Sequence, residues 1–269
     1  MRNELSDLVH LMACLRDTEY GCPWDRAQTY RSIVPFTLEE AYEVADVIER
    51  GDFDELKSEL GDLLFQVIFY SRLAEEDARF NLSDVIESIV SKLLSRHPHV
   101  FPDATFDSFG KSEPSSLAEI KQTWEAKKEK ERAARGQLDL FDDVPLTLPA
   151  LSRAQKIQKR ATRVGFDWSS IDGVMAKLFE EVDEFKQAQE AENQTAMIEE
   201  YGDLLFTMVS LARHVNIDSE QALRLATQKF ESRMKQVMHL ADRQRIDLTI
   251  ATDDEKNGLW AQVKASELD

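Results

Sequence analysis

Eight carboxylates in this chain are spaced for work on a cation. Glu40 and Glu43 lie three residues apart, as do Glu59 and Asp62. Glu181 and Glu184, then Glu200 and Asp203, repeat the pattern. Helical residues three apart share a face, with Cβ atoms roughly 5–6 Å from each other. The turn character of Arg50-Gly51-Asp52 between the first two pairs suggests a helical hairpin that sets them face to face. Four like charges converging beside an apolar core must protonate, splay into water or bind cations. All-oxygen ligation suits a hard cation, Mg²⁺ or Mn²⁺, and Mg²⁺ usually leaves positions for water and phosphate oxygens.

The plain alternative is a Glu-rich surface helix, with Glu40 completing a capping box begun by Thr37. That account fails for Glu181, because Lys177 starts the matching turn and the helix is already under way there. The repeat carries the decision. Glu39-Glu40-Ala41-Tyr42-Glu43 and Glu59-Leu60-Gly61-Asp62-Leu63-Leu64-Phe65 recur as Glu180-Glu181-Val182-Asp183-Glu184 and Glu200-Tyr201-Gly202-Asp203-Leu204-Leu205-Phe206. Both strings are offset by 141 positions. Lys92 and Arg96 match Lys229 and Arg233 at an offset of 137, and Trp124 and Lys128 match Trp260 and Lys264 at 136. Drifts of this size are what changes in loop length produce, so the chain reads as two copies of one helical module. Glycine inside an exposed helix costs about 1 kcal/mol against alanine. Gly61 and Gly202 at the same place in both copies therefore imply a close backbone approach, either to a helix or to a ligand.

Cations that could meet phosphate are also present. Lys229 and Arg233 share a helix face; arginine suits bidentate phosphate contact and lysine supplies a mobile point charge. Lys177, one turn before Glu181, is placed to reach the same pocket. Trp260 and Trp124 either stack on a base or pack in the core. His97-Pro98-His99 reads as a rigid turn ending a helix, since proline cannot continue one. The sequence has no H-E-x-x-H, Walker A or G-x-S-x-G string.

The elements that must hold these residues are helical throughout. Leu56, Leu60, Leu63, Leu64, Val67, Ile68 and Leu73 recur at helical spacing, as do Leu204, Leu205, Met208, Val209 and Ala212. No convincing strand alternation is found. Asp218, three residues before Gln221, is a second candidate helix start. Residues 102–116 and 135–149 read as loops, and the second is the better boundary. It gives an N-terminal domain over 1–135, a linker over 136–149 and a C-terminal domain over 150–269. The net charge of -18 argues against a nucleic-acid surface and against docking on an anionic membrane. No apolar run approaches the roughly 18 residues of a membrane span. Cys14 and Cys22 form no metal or redox motif, and a reducing cytoplasm is the natural setting.

Taken together, E-E-x-x-E followed by E-x-x-D, Gly21-Cys22-Pro23-Trp24-Asp25, His97-Pro98-His99-Val100-Phe101, Lys156-Ile157-Gln158-Lys159 and Val164-Gly165-Phe166-Asp167-Trp168 resemble the two-domain bacterial form of the MazG family of nucleoside triphosphate pyrophosphohydrolases. The resemblance spans essentially the whole chain. It implies an all-α fold of two tandem MazG-like helical bundles, related to the dimeric dUTPases, and assembly as a homodimer. It implies hydrolysis of nucleoside triphosphates, ATP among them, to monophosphate and pyrophosphate. It implies Mg²⁺ ligands at Glu181, Glu184, Glu200 and Asp203, matched in the first copy by Glu40, Glu43, Glu59 and Asp62. Phosphate-side contacts map to Lys177, Lys229 and Arg233, and a nucleotide contact to Trp260.

The copies are not equivalent. Lys177 corresponds to Phe36 and Glu199 to Ser58. One more cation and one more carboxylate in the second copy make it the expected catalytic site, with Glu180 and Glu199 as candidates to take a proton from water. Two rivals stand beside this expectation. A di-iron bundle pairs each E-x-x-H motif with a further Glu, but here the second motif is E-x-x-D with no histidine. A nucleotide-binding regulatory dimer with little turnover is the other.

Overall fold

The structure, a computed structural model, describes residues 4–112, 116–134, 136 and 139–267, with Lys121 by its backbone alone. Among them every long regular element is an α-helix and there is no strand. The chain divides into two compact units, Met1–Lys130 and Glu131–Asp269.

The first unit contains α1 (Leu5–Leu15), α2 (Pro23–Ala27), α3 (Tyr30–Arg50), α4 (Phe53–Glu76), α5 (Leu82–Arg96) and most of α6 (Leu117–Ala134). Its core joins Met12 of α1, Ile33 of α3, and Ile68, Phe69 and Leu73 of α4. Burial of each such side chain contributes roughly 1.5–3 kcal/mol. The wide apolar face of α4 divides between two tasks. Ile68, Phe69 and Leu73 enter the core, while Leu60, Leu64 and Val67 remain exposed.

Thr37 proves not to be a helix start. α3 begins seven residues earlier, capped by Thr29, whose hydroxyl accepts from the Ser32 amide. Thr37 lies inside α3, donating to the Ile33 carbonyl at 3.1 Å and sitting 3.0 Å from the Tyr70 hydroxyl. The Thr37-to-Glu40 spacing of a capping box thus falls inside α3, beyond Pro35. Asp218 does cap its helix, accepting from the Gln221 amide at 2.9 Å.

The second unit contains α7 (Ala150–Ala161), α8 (Ile171–Glu190), α9 (Gln194–His214), α10 (Ser219–Gln244) and α11 (Asp253–Ser266). Val174, Ala188 and Val209 are buried in the α8–α9 hairpin, and Val237, Ala241, Leu259 and Val263 join α10 to α11. Gln158 ties α7 to α9 by donating to the Phe206 carbonyl at 2.8 Å. The described part of segment 136–149 packs onto this unit: Val144 is buried, and Asp143 accepts from Arg160. No described helix is long and apolar enough to cross a membrane.

Candidate functional site

Each unit builds its site on one helical hairpin, α3–α4 in the first and α8–α9 in the second. The turns are matched in detail. Gly51 ends α3 in the left-handed conformation at φ 72°, and Asp52 caps α4 by accepting from the Glu55 amide. Glu192 takes the same conformation at φ 52°, and Asn193 caps α9 by accepting from the Ala196 amide. Such tight reversals set α3 against α4, and α8 against α9, in register, so carboxylates near the turn end of one helix meet those of the other.

Two carboxylate groups result. Glu40, Glu43 and Glu59 each offer an oxygen, all within 4.8 Å of one another, and Glu181, Glu184 and Glu200 do the same. Asp62 and Asp203 stay outside these tight groups but close enough to act on them. Burial pushes the Glu40 carboxyl up, with help from the charges of Asp62 and Glu43. Glu59 is raised by burial and then by Glu43. Glu200 is raised by burial, then by Glu184, Glu181 and Asp203. Hard oxygens converging under mutual repulsion fit a hard divalent cation, which would relieve that repulsion.

Compensating charge differs between the groups. In the second, the Lys177 ammonium lies 2.6 Å from Glu180, 2.9 Å from Glu181 and 3.8 Å from Glu184. Glu181 is only 3% exposed, so this pairing occurs at the edge of the core. Glu180 and Glu181 hold the ammonium charged well above the ordinary lysine range. Glu199 is exposed on α9, next to Glu200, and its charge adds a smaller upward push on the Glu200 carboxyl. In the first group, Phe36 replaces Lys177; it packs on the core and meets Trp24 edge-on at 5.6 Å between ring centroids.

The remaining expected residues form a separate cluster between α10 and α11. Arg233 grips Glu267 with its Nε and Nη2 at 2.7–3.1 Å and lies 5.9 Å from the Trp260 ring. Trp260 is half-buried against the α10–α11 core, with Phe230 5.5 Å away. The Lys229 charge helps hold the Glu267 carboxyl below its usual range, after Arg233 itself. No described contact joins this cluster to Glu181, Glu184 and Glu200. Sequence reasoning missed Glu267, although a signal was there: Trp124, Lys128 and Glu131 recur as Trp260, Lys264 and Glu267 at one offset of 136. Around Trp124, Arg96, Lys128 and His97 form a comparable group, at 5.7, 5.5 and 4.9 Å.

The glycines depart from expectation in one respect. A Cβ at Gly61 or Gly202 would meet nothing within 4 Å among the described residues, so no helix of either unit presses on them. A further anchor unread in the sequence is Asp167, which takes both terminal nitrogens of Arg213 and is held below the usual carboxylate range by that guanidinium.

Comparison with known proteins identifies the domain in which both hairpins lie. Residues 28–101 and 169–238 both match the family model of the MazG nucleotide pyrophosphohydrolase domain. These spans contain the two carboxylate hairpins. The chain is 46% identical over 269 residues to the nucleoside triphosphate pyrophosphohydrolase of Escherichia coli (strain K12), covering 99% of each. It is 38% identical over 261 residues to the nucleoside triphosphate pyrophosphohydrolase/pyrophosphatase MazG of Thermotoga maritima, covering 97% of this chain and 96% of the relative. A nucleoside triphosphate pyrophosphohydrolase of Mycolicibacterium smegmatis is 38% identical over 163 residues, 60% of this chain and 47% of that protein. The chain belongs to the MazG nucleotide pyrophosphohydrolase family, as an all-α enzyme that carries two copies of the family's domain.

Proposed function

We propose that the second unit hydrolyses nucleoside triphosphates, ribo or deoxy, to nucleoside monophosphate and pyrophosphate with Mg²⁺. The observation that carries this reading is the convergence of Glu181, Glu184 and Glu200 within 4.8 Å with the Lys177 ammonium among them. Acid alone would repel a triphosphate; a pocket of acid with a movable cation accepts one when a divalent metal lies between. Glu181, Glu184 and Glu200, with Asp203 beside them, would hold the metal. When bound, Mg²⁺ would screen the phosphates and lower the pKa of a water. Glu180 or Glu199 takes the proton of the attacking water. Lys177 shifts onto the phosphates, and Lys229 and Arg233 serve the leaving pyrophosphate. Trp260 supports the nucleotide. Glu40, Glu43, Glu59 and Asp62 form a second metal site whose task is weaker turnover or regulation.

A homodimer accompanies this reading. The hairpins leave matched apolar positions exposed: Leu38 and Phe179, Leu60 and Tyr201, Leu64 and Leu205, Val67 and Met208. Apolar surface conserved in both copies of a repeat calls for a cover, and a second copy of the chain supplies it. Free Cys14 and Cys22 suit a reducing cytoplasm.

The test is incubation of the full chain and its Glu184→Gln variant with a panel of nucleoside triphosphates and Mg²⁺. Monophosphate plus pyrophosphate from the parent, and at most a small fraction of it from the variant, is expected. Diphosphate plus phosphate, or undiminished turnover by the variant, overturns the proposal. Sedimentation should show twice the chain mass.

A further inference from the structure

Lys177 and Phe36 occupy one position of the repeated hairpin, a turn before E-E-x-x-E. This single exchange changes what the carboxylates face before any ligand arrives. The Lys177 ammonium sits 2.9 Å from Glu181 and 3.8 Å from Glu184, two members of the three-carboxylate group. Mg²⁺ would draw those same oxygens to about 2.0–2.1 Å. An ammonium and a divalent ion cannot both hold them at close range, because the two cations repel strongly at such separations. Lysine's flexible four-carbon stem allows its head to move without disturbing α8. Phe36 offers no charge, and it is kept in place by the first unit's core and by Trp24.

We propose that Lys177 is a placeholder cation: it occupies the second carboxylate group until metal and nucleotide arrive together, then transfers to the phosphates. This rests on the metal reading given above. Its consequence is a linkage between ligands. Metal must displace Lys177 from Glu181 and Glu184, and the displaced ammonium, left with Glu180 alone, is stabilised further where phosphate is there to receive it. Metal and nucleotide therefore bind cooperatively and reciprocally at the second unit. The first unit, with Phe36, takes its metal without that requirement.

Mn²⁺ binding to the full chain tests this directly, with free Mn²⁺ followed by electron paramagnetic resonance. The probe nucleotide is an α,β-methylene triphosphate, which cannot be split at the α–β bridge. In a chain whose first group is disabled by Glu40→Gln and Glu43→Gln, Lys177→Met should tighten Mn²⁺ binding about tenfold without nucleotide, the scale of one partly buried ion pair. The same change should shrink the nucleotide's enhancement of Mn²⁺ affinity. The reciprocal variant is Phe36→Lys in a chain with Glu181→Gln and Glu184→Gln, and it should weaken Mn²⁺ binding at the first group. Circular dichroism identifies any variant that fails to fold, and either arm alone decides the matter. Unchanged or weaker Mn²⁺ binding in a folded Lys177→Met chain, with equal enhancement by nucleotide, overturns the placeholder and leaves the metal reading intact. No Mn²⁺ at either group, with or without nucleotide, overturns both.

Discussion

The first and second carboxylate groups share their hairpin, their turn and their ligand types, yet they differ in how their charge is managed. Beside Glu40, Glu43 and Glu59 the lysine's position in the repeat is held by Phe36, which packs on the core and against Trp24. Glu181, Glu184 and Glu200 face a lysine. If the second unit does the chemistry, as proposed, a metal-fitting constellation and a catalytic one are different things. The carboxylates need only a helical repeat and a tight turn. Handling a polyphosphate would, in that reading, need a cation that can leave the carboxylates for the substrate.

The sharpest way to break this comparison is to remove one carboxylate from each unit. Glu184→Gln should lower Mg²⁺-dependent pyrophosphate release by about a hundredfold or more, because positioning of charge in the transition state is lost. Glu43→Gln should leave most of that release intact. Equal losses, measured as initial rates of pyrophosphate release, would mean that the units share the work.

What the sequence made legible follows from range of interaction. Helical periodicity, the two acidic pairs and the repeat are local or periodic signals, and the hairpins and both three-glutamate groups follow from them. The beginning of α3 is not legible because the capping-box spacing of Thr37 and Glu40 recurs inside the helix, where it caps nothing. The pairing of Arg233 with Glu267 spans 34 residues between α10 and α11, beyond what spacing reveals. Gly61 and Gly202 predict a close approach to a helix or to a ligand, and residue type alone cannot tell these apart; the open space around both answers only for the described helices.

Cores offer the next largest contrast. Phe69 and Ser210 occupy one position of the repeat, and both are fully buried. Phe69→Ala should cost the first unit about 3–5 kcal/mol, the range for emptying a buried aromatic site. Ser210→Ala removes little volume and one long hydrogen bond, from Arg213 to the Ser210 hydroxyl at 3.4 Å, while the Ser210 carbonyl that faces His214 at 2.9 Å stays. Hydrogen exchange of α4 and α9 amides reads each unit separately. A small loss for Phe69→Ala would show that this site collapses easily or that the core lies elsewhere.

Acid should act on both units through their arginine anchors. Arg16 holds Glu76 in the first unit, and Arg213 holds Asp167 in the second. Both carboxyls are held below the ordinary range, chiefly by hydrogen bonds from those guanidinium groups. With the folded pKa depressed, the unfolded chain takes up its proton first as pH falls. The contribution is therefore complete above the ordinary carboxylate range and is lost as pH drops through the folded value. Asp167→Asn should cost the second unit about 2 kcal/mol at pH 7, as expected for a charged hydrogen-bonded pair. In urea unfolding near pH 3 the gap from the parent should narrow. A pH-independent gap would trace the loss to packing instead of charge.

The smallest expected effect concerns the turns, where the two units solve one backbone problem with different residues. Gly51 and Glu192 both end a helix in the left-handed conformation, at φ 72° and 52°. A side chain there brings Cβ against the following carbonyl, at a cost of roughly 1–2 kcal/mol. Nothing else crowds Gly51, since a Cβ on it would meet nothing within 4 Å. Its substitution therefore tests backbone strain alone. Gly51→Ala should destabilise the first unit by about 1 kcal/mol, and Glu192→Gly should stabilise the second by somewhat less, because glycine also gains freedom in the unfolded chain. The two changes should have opposite signs in hydrogen exchange at the helix ends. If Glu192→Gly is destabilising, the glutamate side chain contributes to the second hairpin in a way the first does not need, and the turns are no longer equivalent parts of the repeat.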